Sequence, residues 1–291
     1  MAESGLIIVD KPGEWTSHDV VAKMRRIAGT RRVGHAGTLD PMATGVLVIG
    51  VEKATRLLGH LMLTEKEYRA TIRLGVSTNT DDAEGEVTAT ASAAGVGKGQ
   101  IRKGVEALTG AIMQVPPQVS AIKVNGQRAY KKARAGEEVE LAARPVTVSS
   151  FEVLDIRAAG DVIDVDAVVV CSSGTYIRSL ARDLGAALGG VGGHLTALRR
   201  TRVGPYDLSL AKTIEQLTEE CVVLPIGEAV AAAFPRRDVT AEEARVVAHG
   251  GRLPAAGLGP GPIGVFGPEG ELLALVEEQG RTARPLAVFA G

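Results

Sequence analysis

GHAGTLDPMATGVLVIG, residues Gly34 to Gly50, sets one carboxylate between a glycine-rich turn and an apolar run. The run from Gly45 to Gly50 is short, continuous and rich in Val and Ile, which is the composition of a buried strand. Asp40 stands at its foot with Pro41 directly after it, and no other Asp or Glu lies within ten residues on either side. An isolated acid fixed in this way is a candidate for chemistry and equally for the cap of a turn before Pro41.

Upstream, GLIIVDKPG reads as a short buried strand stopped by Lys11-Pro12-Gly13. Thr16-x-x-Asp19 is a capping box, and Val20, Val21, Met24 and Ile27 recur at helical spacing up to Gly29. Downstream, KEYRATIRLG alternates, with Tyr68, Ala70, Ile72 and Leu74 on one face and Arg69, Thr71 and Arg73 on the other. VSTNTDDAEGE reads as a polar turn region, ATASAAGVGKGQ as a small-residue loop and KGQIRKGVEALTG as a short helix. An insertion of about residues 114–145 follows, with Pro116-Pro117, a turn at Asn125-Gly126 and many charges. DVIDVDAVVVCS is a strand, and Ile177, Leu180, Ala181, Leu184 and Leu188 put one apolar stripe on the next helix. Strands and helices do not alternate regularly, so an α/β (α+β) domain with a mixed, mainly antiparallel sheet flanked by helices is expected over 1–233. From Phe234 the texture changes to a small helix, two short strands around a Gly-Pro turn and a last strand, which predicts a small β-rich domain over 234–291.

Composition bounds the function. Hydrophobic residues make up 45% and charged residues 23% of the 291, the balance of a globular protein, and aromatics only 3%. No apolar run is long enough for a signal peptide or a membrane span. Cys171 and Cys221 form no CxxC pair, so neither a disulfide framework nor a zinc site is indicated and a cytoplasmic, reducing setting is expected. The formal charge of −1 excludes a uniformly basic nucleic-acid binder. Charge is nonetheless grouped: seven Lys/Arg against two acids from Val21 to Arg56, six against three from Ile122 to Arg144, and Arg199, Arg200 and Arg202 with no acid among them. Three basic islands on a neutral chain fit a polyanion-binding face or, equally, ordinary solvated surface.

Several motifs fail on their context. GPGPIG matches GxGxxG in form, but two prolines and no following helix rule against a dinucleotide site. GVGKG lacks the upstream Gly and the Ser/Thr of a phosphate-binding loop, and CSSG lacks the first Gly of a nucleophile elbow. None of the five histidines falls in HExxH, and no carboxylate pair flanks a Gly-rich site. A lone Asp, three basic islands and two well-placed tyrosines remain.

GHAGTLDPMATGVL closely resembles the signature of the TruB family, the enzymes that make the pseudouridine of the tRNA T-loop. DKPGEWTSHDVV resembles the family's N-terminal Lys-Pro…Thr-Ser element, KEYRATIRLG its Tyr-bearing strand, and QVPPQVSAIKVNGQRAYKKAR its RNA-gripping insertion. CSSGTYIRSLARDLG and GGHLTALRRTRVGPY resemble its Arg/Leu elements, and all lie in the family's order between Leu6 and Tyr206. Glu14 stands where the family's Lys-Pro-x-Gly has Gly, and Val119 where an aromatic is common. The resemblance implies a pseudouridine synthase fold, a PUA-like C-terminal module, no cofactor and no metal. It implies a monomer without an obligatory protein partner, acting on the tRNA T-arm stem-loop and on no membrane.

The same resemblance assigns roles. Asp40 is the catalytic carboxylate, required because breaking the bond from C1′ to N1 needs assistance at the sugar. Arg178 pairs with that aspartate; in the first turn of a helix a cation otherwise costs about 0.3–1 kcal/mol against the macrodipole, which a nearby anion offsets. Tyr68 stacks on the flipped uracil and is a candidate for taking the C5 proton, although by periodicity alone it is a core tyrosine. Tyr176 and Leu195 match pocket residues, with core packing as the competing reading, and His35 matches the histidine that wedges where the base leaves the loop. Lys11, Arg31, Arg32, Lys131, Lys132, Arg199, Arg200 and Arg202 are the expected RNA contacts. A tRNA-folding chaperone of the same fold, a subunit of a guide-RNA complex and a non-catalytic RNA binder are the rival readings.

Overall fold

The buried run of the opening stretch is the strand Thr44–Val51, and it lies antiparallel to Gly5–Lys11, with Gly5 opposite Val51 and Lys11 opposite Gly45. The short strand Val33–His35 also pairs with it, setting His35 opposite Ile49. The computed structural model describes residues 3–119, 123–124, 127–128 and 141–290. They fall into two compact units, one of Met1–Asp40, Gly45–Leu63 and Val203–Gly291, the other of Pro41–Thr44 and Thr64–Arg202.

In the first unit, helix Ser17–Ile27 begins at the expected capping box. Thr16 accepts from the Asp19 N–H at 3.1 Å and its own N–H donates to the Asp19 carboxylate at 2.9 Å. Val20, Val21 and Met24 are its buried stripe. The C-terminal part holds a five-stranded sheet in the order Arg236–Asp238, Pro262–Phe266, Leu272–Gln279, Thr282–Val288, Leu253–Pro254, with helix Ala241–Ala248. The two outermost strands had no signal in the sequence, being two or three residues long and rich in Arg and Pro. One side of this module has its own core around Val247, Ile263 and Leu273. Its other side shares a core with the chain's first strands, where Phe266, Leu275 and Phe289 pack with Leu6, Ile8 and Val46. Lys53 and Arg56, counted in the first basic island, donate to the carbonyls of Phe289 at 3.0 Å and Val288 at 2.6 Å, so part of that island is structural.

In the second unit, strands follow in the order Gly193–Val203, Lys66–Leu74, Val162–Cys171, Arg144–Ala159, Gly110–Gln114. The last three pairings are antiparallel. Tyr68, Ala70, Ile72 and Leu74 are buried as their alternation predicts, and helices Lys98–Ala107 and Ile177–Ala187 pack in this unit. The opposite face carries a polar ladder. Arg73 makes a two-pronged bond to Asp164, 2.8 Å on each arm, and Asp166 accepts from Thr71 at 2.7 Å and from Arg157.

Two features differ from expectation. Arg144–Ala159 is a sixteen-residue strand whose alternation is broken by irregularities at Val148/Ser150 and Val153/Asp155, which hid it from a period-two reading. The polar turn region is the closed end of a hairpin, Val76–Thr78 with Val87–Thr90; the second strand is exposed throughout and replaces part of the expected small-residue loop. In the insertion, Lys123–Val124 pairs with Gln127–Arg128. The turn expected at Asn125-Gly126 lies outside the described residues, as do Lys131 and Lys132.

Candidate active site

Asp40 belongs to the first unit, and Tyr68, Tyr176, Arg178 and Leu195 to the second. Asp40 is half-buried at the end of a loop that Gly37 opens at φ 90°. Its neighbour Leu39 is fixed from both sides of the peptide: the Leu39 N–H donates to the Ser17 hydroxyl at 2.9 Å, and that hydroxyl donates to the Leu39 carbonyl at 3.2 Å. The Ala36 N–H bonds the Val48 carbonyl at 2.9 Å, lashing the loop's other end to the central strand. His35 meets the His18 ring edge-on at 5.6 Å.

The basic residues near this loop divide sharply. Arg31 and Arg32 are exposed, Arg32 in a loose ion pair with Glu52 at 3.6 Å. Lys11 is 0% exposed and offers no surface to a phosphate. Its ammonium instead donates to the carbonyls of Pro12 at 2.8 Å and Trp15 at 2.6 Å, tying the turn between strand and helix. Within that turn Glu14 has φ 65°, the left-handed region that favours glycine, which gives physical content to its departure from the family's Gly.

Arg178 lies in the first turn of helix Ile177–Ala187 and is buried. It donates to the Thr80 carbonyl at 2.8 Å and the Val119 carbonyl at 3.2 Å, and forms an ion pair with the buried Asp82 at 3.4 Å. Asp82 also accepts from the Thr80 hydroxyl at 2.6 Å and the Glu84 N–H at 3.1 Å. Next to it, burial pushes the Asp81 carboxyl up, and the Arg182 and Arg178 guanidinium groups pull against that. The polar turn read from the sequence is therefore an acidic cradle for Arg178, a set of partners that sequence reasoning missed.

The same cradle reaches Leu195, whose N–H donates to the Asp81 carbonyl at 3.0 Å. Leu195 is 0% exposed and presents nothing to a base; Leu198, three residues on, lines a cavity of about 560 Å³. Arg69, Arg199, Thr44, Thr71 and Asp166 supply polar groups to that cavity. Tyr176 caps Arg178's helix, and the buried Gln114 side chain grips its backbone twice, accepting from its N–H at 2.8 Å and donating to its carbonyl at 3.1 Å. Tyr68 is buried on the strand that carries Lys66. Burial pushes the Lys66 ammonium down to about 8, and the Arg200 guanidinium pushes the same way. Arg200 is 1% exposed, so of the third basic island only Arg199 and Arg202 keep solvent-facing surface. Arg199 donates to Thr44 at 3.2 Å, and Arg202 pairs with Glu65 at 3.1 Å. Among the described residues no three His, Cys, Asp or Glu are grouped to hold a metal ion, and no helix is long and apolar enough to cross a membrane.

Residues 25–177 match the family model of the TruB family pseudouridylate synthase N-terminal domain. Residues 178–229 match the tRNA pseudouridylate synthase B C-terminal domain, and 234–290 the C-terminal region of tRNA pseudouridine synthase II. The chain belongs to the TruB pseudouridylate synthase family. Relatives within TruB are similar over nearly their whole length. One from Thermobifida fusca, "tRNA pseudouridine synthase B", is 63% identical across 99% of each chain. One of the same name from Streptomyces coelicolor is 64% identical across 98% of this chain and 97% of its own. Two solved structures share the pseudouridine synthase fold. A Cbf5–Nop10–Gar1 complex has a chain with TM-score 0.73 and 29% identity, covering 99% of this chain and 84% of that one. An H/ACA RNP bound to a substrate RNA containing 2′-deoxyuridine has one with TM-score 0.73 and 28% identity, covering 99% and 85%. The TruB C-terminal module is PUA-like in its small β-rich build.

Proposed function

We propose that the chain is a tRNA pseudouridine synthase that isomerises the T-loop uridine at tRNA position 55. The observation that carries this is the 63% identity over 99% of both chains to a protein named for that activity. Identity to the Cbf5 chains is less than half as great, at 27–29%, which favours a free-standing tRNA enzyme over a guide-RNA subunit.

The target base is extruded from the loop, at a cost of a few kcal/mol met by phosphate contacts. Asp40 then assists cleavage of the C1′–N1 bond, as nucleophile at C1′ or through a glycal. The freed uracil turns, C5 bonds to C1′, the proton leaves C5 and N1 takes one up. No group is gained or lost, so the chemistry requires no cofactor. Arg178 is the electrostatic partner of Asp40, and Tyr68 the stacking group and candidate base for the C5 proton. Tyr176 and His35 contact the everted nucleotide, with Leu198 the better-exposed candidate for the apolar wall assigned to Leu195. Arg31, Arg32, Lys131, Lys132, Arg199 and Arg202 are the phosphate contacts. Residues 1–233 form the catalytic domain, with the RNA-gripping insertion at about 114–145, and 234–291 the RNA-binding module. The enzyme is a cytoplasmic monomer.

Asp40→Asn tests the reading on an unmodified tRNA transcript. Pseudouridine formation should vanish while tRNA binding stays within a few-fold; turnover comparable to the native enzyme would refute it.

A further inference from the structure

Ser17 is 1% exposed and lies at the first position of helix Ser17–Ile27, where a hydroxyl normally faces solvent or serves its own helix end. Here the cap is already supplied by Thr16, whose side chain accepts from Asp19. The Ser17 hydroxyl is directed instead at a residue 22 positions away, and it uses both its lone pair and its proton there. It accepts from the Leu39 N–H at 2.9 Å and donates to the Leu39 carbonyl at 3.2 Å. Leu39 is itself buried, so water cannot replace either bond without opening the loop.

The consequence falls on the next residue. Pro41 follows Asp40, and a residue before proline is held out of the helical region by the proline ring. Asp40 is thus constrained on its C-terminal side by Pro41 and on its N-terminal side by a peptide bonded at both its polar groups. We infer that Ser17 is a positioning residue for Asp40, fixing the direction of its carboxylate without touching substrate. The inference rests on the proposed role of Asp40. Its energetic logic is that a small displacement of a reacting group costs on the order of 10² in rate while leaving distant substrate contacts intact.

The test compares Ser17→Thr, Ser17→Val and Ser17→Ala in single-turnover pseudouridine formation, with enzyme saturating over an unmodified tRNA transcript. Thr and Val share a shape and differ in the hydroxyl, so their packing costs cancel. The Val and Ala variants should react at least about tenfold more slowly than native enzyme. The Thr variant should react at least several-fold faster than Val, and all should bind tRNA within about threefold of native. A role in folding alone would lower the active fraction but not the rate constant of the molecules that react. Equal rates for Thr and Val, or a loss confined to tRNA binding, would overturn the inference; if neither folds, the Ala variant decides on the same rate criterion. Asp40→Asn is run alongside. An active Asp40→Asn removes the premise and this inference with it. A dead Asp40→Asn beside a native-like Ser17→Val sinks the Ser17 role alone.

Discussion

Asp40 and Arg178 are held by opposite means. The Asp40 loop is fixed by neutral bonds over short sequence separations, a serine hydroxyl 22 residues away and a proline next door. Arg178 is fixed by a buried carboxylate and by carbonyls 98 and 59 residues away in the chain. The anchors of the loop, at Leu39 and Ala36, are uncharged, so they position its backbone without adding a charge of their own. A buried guanidinium has no such freedom, because an unpaired buried cation is costly. One anchor is therefore neutral backbone bonding and the other is charge pairing in the interior.

This contrast can be broken experimentally. Asp82→Ala leaves Arg178 without the carboxylate described here and should cost the most, on the order of 3–5 kcal/mol in denaturant unfolding. A loss under 1 kcal/mol would mean the guanidinium does not depend on Asp82, and the contrast would fail. Gln114→Glu probes the neutral clamp on Tyr176. The carboxylate can still accept from the Tyr176 N–H but meets its carbonyl oxygen with another oxygen, so roughly 1–3 kcal/mol should be lost and Gln114→Ala should be no worse. The smallest effect concerns Lys66. Its folded value of about 8 is below its usual 10.5, so between those values the unfolded chain holds more protons and stability rises with pH. Below about pH 8 the burial penalty is constant. The difference in unfolding free energy between native protein and Lys66→Met should shift toward the native protein by on the order of 1 kcal/mol from pH 8 to 10. A flat difference would show that Lys66 is no less basic folded than unfolded.

What the sequence made legible follows from distance along the chain. The Thr16–Asp19 box, the apolar run after Asp40 and the alternation around Tyr68 are local patterns, and each forms the element it predicts. Asp82 is not legible as an ion-pair partner because Arg178 lies in another element nearly a hundred residues on, and a run of Asp, Asn and Thr reads as turn. Lys11 and Arg200 read as surface because charge usually lies there; both are interior, which no count of basic residues reveals. Leu195 and Leu198 are indistinguishable as letters and separate only when strand facing is known.

The shared core of the first unit has a consequence for biosynthesis. Leu6 and Ile8 pack with Phe289, and Lys53 grips the Phe289 carbonyl, so this strand completes its packing with residues synthesised long after it. At about 5–20 residues per second, the nascent strand waits roughly 15–60 s for that partner. During translation its apolar side must be sheltered by the ribosome, by a chaperone or by provisional contacts. Truncation just before Thr282 would make that vulnerable interval permanent.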